Sequence, residues 1–228
     1  MDVFDHNSSE PHGAGQQVLL AGATGLIGRE LLHLLLTDAG IARVHTVGRR
    51  PPPFEHARLQ HHASDLREIP PLPPLDAAFI ALGTTIDVAG SQAAFRAVDH
   101  DAVLAVASAA RAAGATRLGV VSAMGADARS RIFYNRVKGE TEDALAALDF
   151  PTLVIARPSL LLGDRASLAQ PKRRGEGIGA TLSAWLRPFI PVNYRAIRAE
   201  DVAQALVHAV AQGAPGRRVL LSGQIQGG

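Results

Sequence analysis

Apolar residues first gather in the short run Gln17-Val-Leu-Leu-Ala21, which ends at a glycine and predicts a buried strand. From Leu26 the apolar positions Ile27, Leu31, Leu34 and Leu35 recur at helical spacing, and Gly40 supplies a stop. Further strands are predicted over Arg43 to Val47, Ala77 to Leu82, Leu118 to Ser122, Thr152 to Ala156 and Arg218 to Ser222, with a weaker one over Arg58 to His62. Between them lie helical patterns over Ser91 to Ala113, Ile132 to Leu148 and Glu200 to Gln212. Strands alternating with helices of this length predict an α/β fold of Rossmann type, a doubly wound parallel sheet with helices on both faces.

The alternation divides the chain. Residues 1–16 lack apolar periodicity and are expected to be a disordered tail, dispensable for folding. Residues 17–160 carry the regular pattern of a dinucleotide-binding domain, and 161–228 are expected to complete the same fold as a small substrate lobe. Within that lobe Gly163 to Gly179 reads as a flexible basic loop containing Lys172-Arg-Arg174. Thr181 to Phe189 reads as a short helix in which Trp185 serves a core, a subunit contact or a substrate pocket.

Composition narrows the chemistry. The 228 residues include no cysteine, which excludes a thiol nucleophile, disulfides and cysteine-ligated metals. A net charge of +2 and an aromatic content of 4% argue against nucleic acid as a partner. The polar, acidic start is not a signal peptide, and no apolar run is long enough for a bilayer. The expected location is therefore cytoplasmic, with a small-molecule substrate and no membrane; a homodimer or a protein partner is left open.

Three motifs carry the chemistry. Gly22-Ala-Thr-Gly25-Leu-Ile-Gly28 follows the first strand and opens the first helix, where glycines permit close backbone approach and the helix N-terminus attracts pyrophosphate. About twenty residues on, Gly48-Arg49-Arg50 ends the second strand. An acidic residue there would favour NAD, whereas arginines match a 2′-phosphate, so NADP (NADPH) is expected over NAD. In Tyr134-Asn-Arg-Val-Lys138 the phenol and ammonium share a helix face. Lys138 is expected to hold the nicotinamide ribose and to lower the phenol pKa from near 10, making Tyr134 a general acid.

These motifs, in this order, resemble the short-chain dehydrogenase/reductase superfamily, and most closely its atypical branch of Tat-interacting oxidoreductases and their bacterial relatives. The resemblance runs from Val18 to about Asp164 and takes in Leu82-Gly-Thr-Thr85, Phe95-Arg-Ala-Val-Asp99, Ser122-Ala-Met-Gly-Ala-Asp127, Tyr134 to Glu140 and Arg157-Pro158. It implies that Gly22, Thr24, Gly25, Leu26, Ile27 and Gly28 surround the pyrophosphate and that Arg49 and Arg50 meet the adenosine phosphate. It further implies that Asp65 and Leu66 lie beside the adenine and that Ala81, Leu82, Gly83 and Thr84 pass under the ribose. Relatives often carry two serines after the fifth strand, where this chain has Ser122 and Ala123; the substrate-orienting hydroxyl is thus Ser122 or is missing. The resemblance implies an oxidoreductase reducing a small carbonyl or sugar-like compound, or alternatively a regulator that senses NADPH without turnover.

The remaining candidates read as structural. His56, His61 and His62 are expected to be solvated loop residues rather than metal ligands, and His33 to be packed within its leucine-rich helix. Asp99 and Asp101, in the middle of a predicted helix, are expected to face solvent.

Overall fold

A computed structural model describes residues 15–162, 193 and 196–226. The basic loop, the helix with Trp185 and the tail up to residue 14 lie outside the described residues. Gln16 already belongs to the first strand, so the tail gives way to the fold slightly earlier than the apolar pattern suggests.

The strands are β1 (Gln16–Ala21), β2 (Ile41–Gly48), β3 (Leu59–Ala63), β4 (Ala77–Ile80), β5 (Arg117–Val121), β6 (Thr152–Arg157), β7 (Leu161–Leu162), β8 (Ile197–Arg198) and β9 (Gly216–Leu221). The helices are α1 (Leu26–Thr37), α2 (Ile86–Ala89), α3 (Gln92–Arg96), α4 (Ala102–Ala112), α5 (Phe133–Ala146), α6 (Ala199–Gln212) and α7 (Ser222–Gln226). Among the described residues, seven strands form one sheet in the order β3-β2-β1-β4-β5-β6-β9, every pairing parallel, while β7 and β8 pair separately. The chain winds outward from β1 in one direction and from β4 in the other. The crevice at the carboxyl ends of these two neighbours is where such folds bind their ligands.

Both faces of the sheet are covered, which is why the strands read as apolar runs rather than alternations. Val18, Leu20 and Phe79 pack under Ile27, Leu31 and Leu35 of α1 and Val202 and Leu206 of α6. Their strand neighbours Leu19, Ala78 and Ile80 face the opposite way, against Val103, Val106 and Ala110 of α4 and Leu145 of α5. At Gly119 of β5 a Cβ would sit 2.9 Å from Val210 and 3.1 Å from Leu206, so the missing side chain lets α6 lie close on the sheet. The exposed end of α1 is closed by Arg58, whose guanidinium donates to the carbonyls of Leu36, Asp38 and Ile41.

Three sequence expectations need correction. The helix predicted over Ser91 to Ala113 is α3 and α4 joined by a π turn at Ala97–Asp101. His33 is exposed, because the buried stripe of α1 runs through Leu31, Leu32, Leu35 and Leu36 and leaves residue 33 on the outer face. His61 and His62 are half-buried residues of β3, not loop residues; His56 alone of the three is exposed in a loop. Thr46 and His61 Nδ1 lie 3.0 Å apart on one side of the sheet. On the other, fully buried His45 has Nδ1 3.0 Å from His62 Nε2 and Nε2 3.1 Å from Gln17 Oε1.

Burial, with smaller contributions from His62 and Arg43, pushes the His45 pKa down to about 4 from an ordinary 6.5. The unfolded chain therefore binds the extra proton first as pH falls, and the fold loses stability between about pH 6.5 and pH 4. Denaturant unfolding across that window should show wild type losing on the order of 2–3 kcal/mol more than His45→Phe. Parallel pH profiles for the two proteins would contradict the assignment.

Candidate active site

The glycine loop is built by contact between backbones. Gly22 has φ 86°, and a Cβ there would lie 2.5 Å from the Ala81 carbonyl at the end of β4. Gly25 donates its N–H to the Gly22 carbonyl at 2.9 Å and forms the N-cap of α1. A Cβ on Gly28 would sit 1.9 Å from that same carbonyl, so only glycine lets the first turn of α1 press against the loop. No side chain caps this helix and no acidic residue lies in its first turn, so its N–H groups and positive end face the crevice uncompensated. Thr24 and Leu26 are half-buried at the loop, whereas the Ile27 side chain belongs to the core, leaving its backbone to serve a ligand. These features fit a dinucleotide pyrophosphate, which would rest on backbone amides from residues 24 to 28.

The residues expected at the adenosine follow β2 and β3. Arg49 and Arg50 follow Gly48 directly, are exposed, and make no ion pair among the described residues. Ser64 N–H donates to the Gly48 carbonyl at 3.1 Å, which holds the segment after β3 beside them. Asp65 there accepts the Arg67 amide through Oδ1 at 2.9 Å, and Leu66 takes a left-handed φ of 69° while packing on the core. A leucine in that conformation is strained by about 1–3 kcal/mol and persists because its surroundings hold it.

Tyr134 and Lys138 come from α5, one turn apart. The Tyr134 ring is half-buried against Phe95 of α3, with ring centroids 5.3 Å apart. Lys138 is buried, and its Nζ lies 2.7 Å from Asp99 Oδ1. The other carboxylate oxygen of Asp99 accepts the Thr84 amide at 2.8 Å, and Gly83 is close enough that a Cβ would stand 4.0 Å from Lys138 Nζ. The segment Ala81 to Thr84 and helix α5 therefore meet at one carboxylate. Burial opposes the Lys138 charge most strongly, but Asp99, then Tyr134 and Glu142, together outweigh it, and the ammonium pKa lies above its ordinary value.

Asp99 corrects the sequence reading. It is 1% exposed, not solvent-facing, because the π turn presents it inward to a lysine from α5 and an amide from the β4 loop. Thr141 of α5 secures the turn by donating its hydroxyl to the Asp99 carbonyl at 3.0 Å. Both partners are distant in sequence, so helical periodicity carries no trace of them.

Ser122 follows the end of β5. Its hydroxyl donates to Glu142 Oε1 at 2.6 Å, within the buried interior. Glu142 lies eight residues beyond Tyr134 on α5, two turns past Tyr134 and one past Lys138. Glu142 also accepts from Arg157 at 2.9 and 2.6 Å and from Arg217 at 2.8 Å. Sequence reasoning missed Glu142 and Arg217, although the spacing Tyr134, Lys138, Glu142 was a readable signal of one inward stripe. A cleft of about 350 Å³ opens beyond this carboxylate, between Asp127, Arg129, Asp143 and Arg217, and contains none of the residues matched to the cofactor.

The tight approach at Gly28 gives a direct test of the loop. Gly28→Ala should destabilise the fold by about 1–3 kcal/mol and abolish measurable dinucleotide binding, whereas Gly83→Ala, whose Cβ meets nothing closer than 3.5 Å, should melt like wild type. Thermal melts with cofactor titration check both; intact binding in Gly28→Ala would remove the loop from the site.

Known proteins place this geometry in a family. Residues 18–126 match the model of the NAD dependent epimerase/dehydratase family. The mitochondrial protein fmp52 of Emericella nidulans is 37% identical over 158 residues, covering 65% of this chain and 68% of the relative. The mitochondrial protein FMP52 of Coccidioides immitis is 32% identical over 212 residues, covering 83% of each. Because these relatives are named as mitochondrial, the expected cytoplasmic location is withdrawn; composition and the lack of a signal-peptide pattern had no power to distinguish compartments inside the cell. Among solved structures, MoeE5 in complex with UDP-glucose and NAD superposes with a TM-score of 0.68 at 20% identity, over 90% of this chain and 75% of that one, which shows the common fold. The chain belongs to the same family as the mitochondrial FMP52 proteins, and with residues 18–126 matching the NAD dependent epimerase/dehydratase model it is an NAD(P)-dependent oxidoreductase of short-chain dehydrogenase/reductase type.

Proposed function

We propose that this protein is an NADPH-dependent reductase of a small carbonyl or sugar-like substrate, with Tyr134 as the general acid and Lys138 as its activator and ribose ligand. The observation that carries the reading is the meeting of Tyr134, Lys138 and the Gly83–Thr84 segment around Asp99, beside the glycine loop at the sheet's switch point. A bound reduced nicotinamide supplies hydride. Lys138, ion-paired with Asp99 at 2.7 Å, has three N–H donors with which to serve ribose hydroxyls and the phenol. Tyr134 holds the proton for the substrate oxygen, and Phe95 fixes the plane of its ring.

A second reading has its own support. The Ser122 hydroxyl donates to Glu142, and Ala123 beside it carries no hydroxyl. That arrangement suits a regulator that binds NADPH and signals through a protein partner. The two differ in one result: turnover of NADPH with any member of a broad carbonyl panel supports the reductase, and tight binding without turnover supports the regulator.

Arg49 and Arg50, exposed and in no ion pair among the described residues, support NADP over NAD, although MoeE5 is a protein solved with NAD. Charge-assisted hydrogen bonds contribute about 1.5–3 kcal/mol, so NADPH should bind about ten- to a hundredfold more tightly than NADH. Arg49→Ala/Arg50→Ala should erase the difference. Equal affinities in wild type would remove the assignment.

Tyr134→Phe deletes one oxygen from a half-buried ring. Turnover should fall by about 10²–10⁴ while the NADPH dissociation constant stays within about twofold. Near-normal turnover in this variant would mean that the proton comes from another group.

A further inference from the structure

Four large apolar side chains stand exposed among the described residues: Phe54 at 49%, Val88 at 59%, Ile132 at 62% and Leu160 at 51%. Phe54 lies alone on the crossover between β2 and β3. The other three follow the carboxyl ends of β4, β5 and β6, which are neighbours in the sheet. A single exposed leucine needs no explanation, but three such side chains on one rim do.

Contacts tie these segments to the helix that bears Tyr134 and Lys138. Val88 belongs to α2, which packs against α3, and the Phe95 ring of α3 lies 5.9 Å from that of Phe133 and 5.3 Å from that of Tyr134. Thr84, just before α2, donates its amide to Asp99, the partner of Lys138. Ile132 is the N-cap of α5, two residues ahead of Tyr134. The loop after β5 is tied to the end of β6 where the Met124 amide donates to the Pro158 carbonyl at 3.1 Å, and Leu160 follows two residues on.

The hydroxyls on the same segments are engaged locally. Thr85 and Ser130 accept the amides of Val88 and Ile132, each at 3.2 Å. Ser122 donates to Glu142, and the Ser159 hydroxyl lies 2.9 Å from that of Ser222. A polyhydroxylated substrate needs several fixed polar partners to replace the water it loses, whereas a hydrocarbon chain needs only apolar surface to cover.

We propose that Val88, Ile132 and Leu160 form the apolar wall of the substrate site, so that the carbonyl compound reduced here carries a hydrocarbon chain and not a run of hydroxyls. This deepens, and rests on, the reading of Tyr134 and Lys138 as the reductase pair. The carbonyl carbon takes hydride from the reduced nicotinamide and its oxygen takes the Tyr134 proton, giving an alcohol whose apolar tail lies along the rim.

The test reads binding as well as turnover. Linear primary amides, from propanamide to octanamide, offer the carbonyl and the chain without being reduced, and are titrated calorimetrically into the full chain with and without NADPH. Each added methylene should tighten binding about two- to fourfold, and gluconamide should bind more weakly than hexanamide, its equal in length. Ile132→Ser/Leu160→Ser removes only exposed side chains, so it should melt like wild type and weaken octanamide by about tenfold. Val88→Ser carries the same test if that variant fails to fold, and Phe54→Ser should leave the series unchanged. Affinity independent of chain length, or tighter binding of gluconamide, would overturn the proposal. So would a dimer that Ile132→Ser/Leu160→Ser dissociates while amide binding is unmoved, because the rim would then belong to a second copy of the chain. The slope should recur in kcat/KM for linear aldehydes. Amides that bind with this slope while no aldehyde turns over would refute the reductase reading alone, and turnover without a slope would refute the apolar wall alone.

Discussion

Helix α5 is held to the rest of the molecule by buried charge rather than by apolar contact alone, and the candidate site depends on that. Lys138 reaches across to Asp99, and one turn on Glu142 takes hydrogen bonds from Ser122, Arg157 and Arg217. Buried ion pairs contribute little net stability, because desolvation offsets most of the attraction, but breaking one leaves an uncompensated charge at a cost of about 3–5 kcal/mol. Their consequence is geometric. A helix bound through two fixed carboxylate positions cannot slide or rotate without exposing one of them, and Tyr134 inherits that fixed position.

The glycine loop imposes a complementary constraint on the opposite wall of the crevice. Gly22 accommodates the Ala81 carbonyl, and Gly28 accommodates the Gly22 carbonyl, so β1, α1 and the end of β4 meet with no side chain between them. The segment leaving β4 then passes directly to Gly83 and Thr84 and so to Asp99. One short stretch, Ala81 to Thr84, therefore links the glycine loop to the helix that bears the phenol and ammonium. Changes at either wall are transmitted to the other through the backbone rather than through flexible side chains.

Family membership and local geometry differ in how far they define chemistry. The matched region ends at residue 126, before α5, so the family model speaks to the dinucleotide half and the phenol–lysine pair is argued from its own contacts. Ser122 illustrates the difference. Its place at the end of β5 suits a substrate hydroxyl by analogy, yet the side chain is drawn into the Glu142 network.

Most of the architecture was legible because parallel strands buried on both faces and helices with one buried stripe leave regular patterns in the chain. The alternation of strands and helices, the glycine loop, the arginines after β2 and the one-turn spacing of Tyr134 and Lys138 all follow from local residue types and short spacings. What tertiary structure alone decided involves partners far apart in sequence. Asp99 meets Lys138 across 39 positions and faces inward from a π turn that an alanine-rich helical pattern conceals. Arg217 reaches Glu142 across 75 positions, and His45 finds Gln17 and His62 across neighbouring strands. Periodicity records which face of an element is buried, but not which charge waits on the other side, because that depends on how separate elements are brought together.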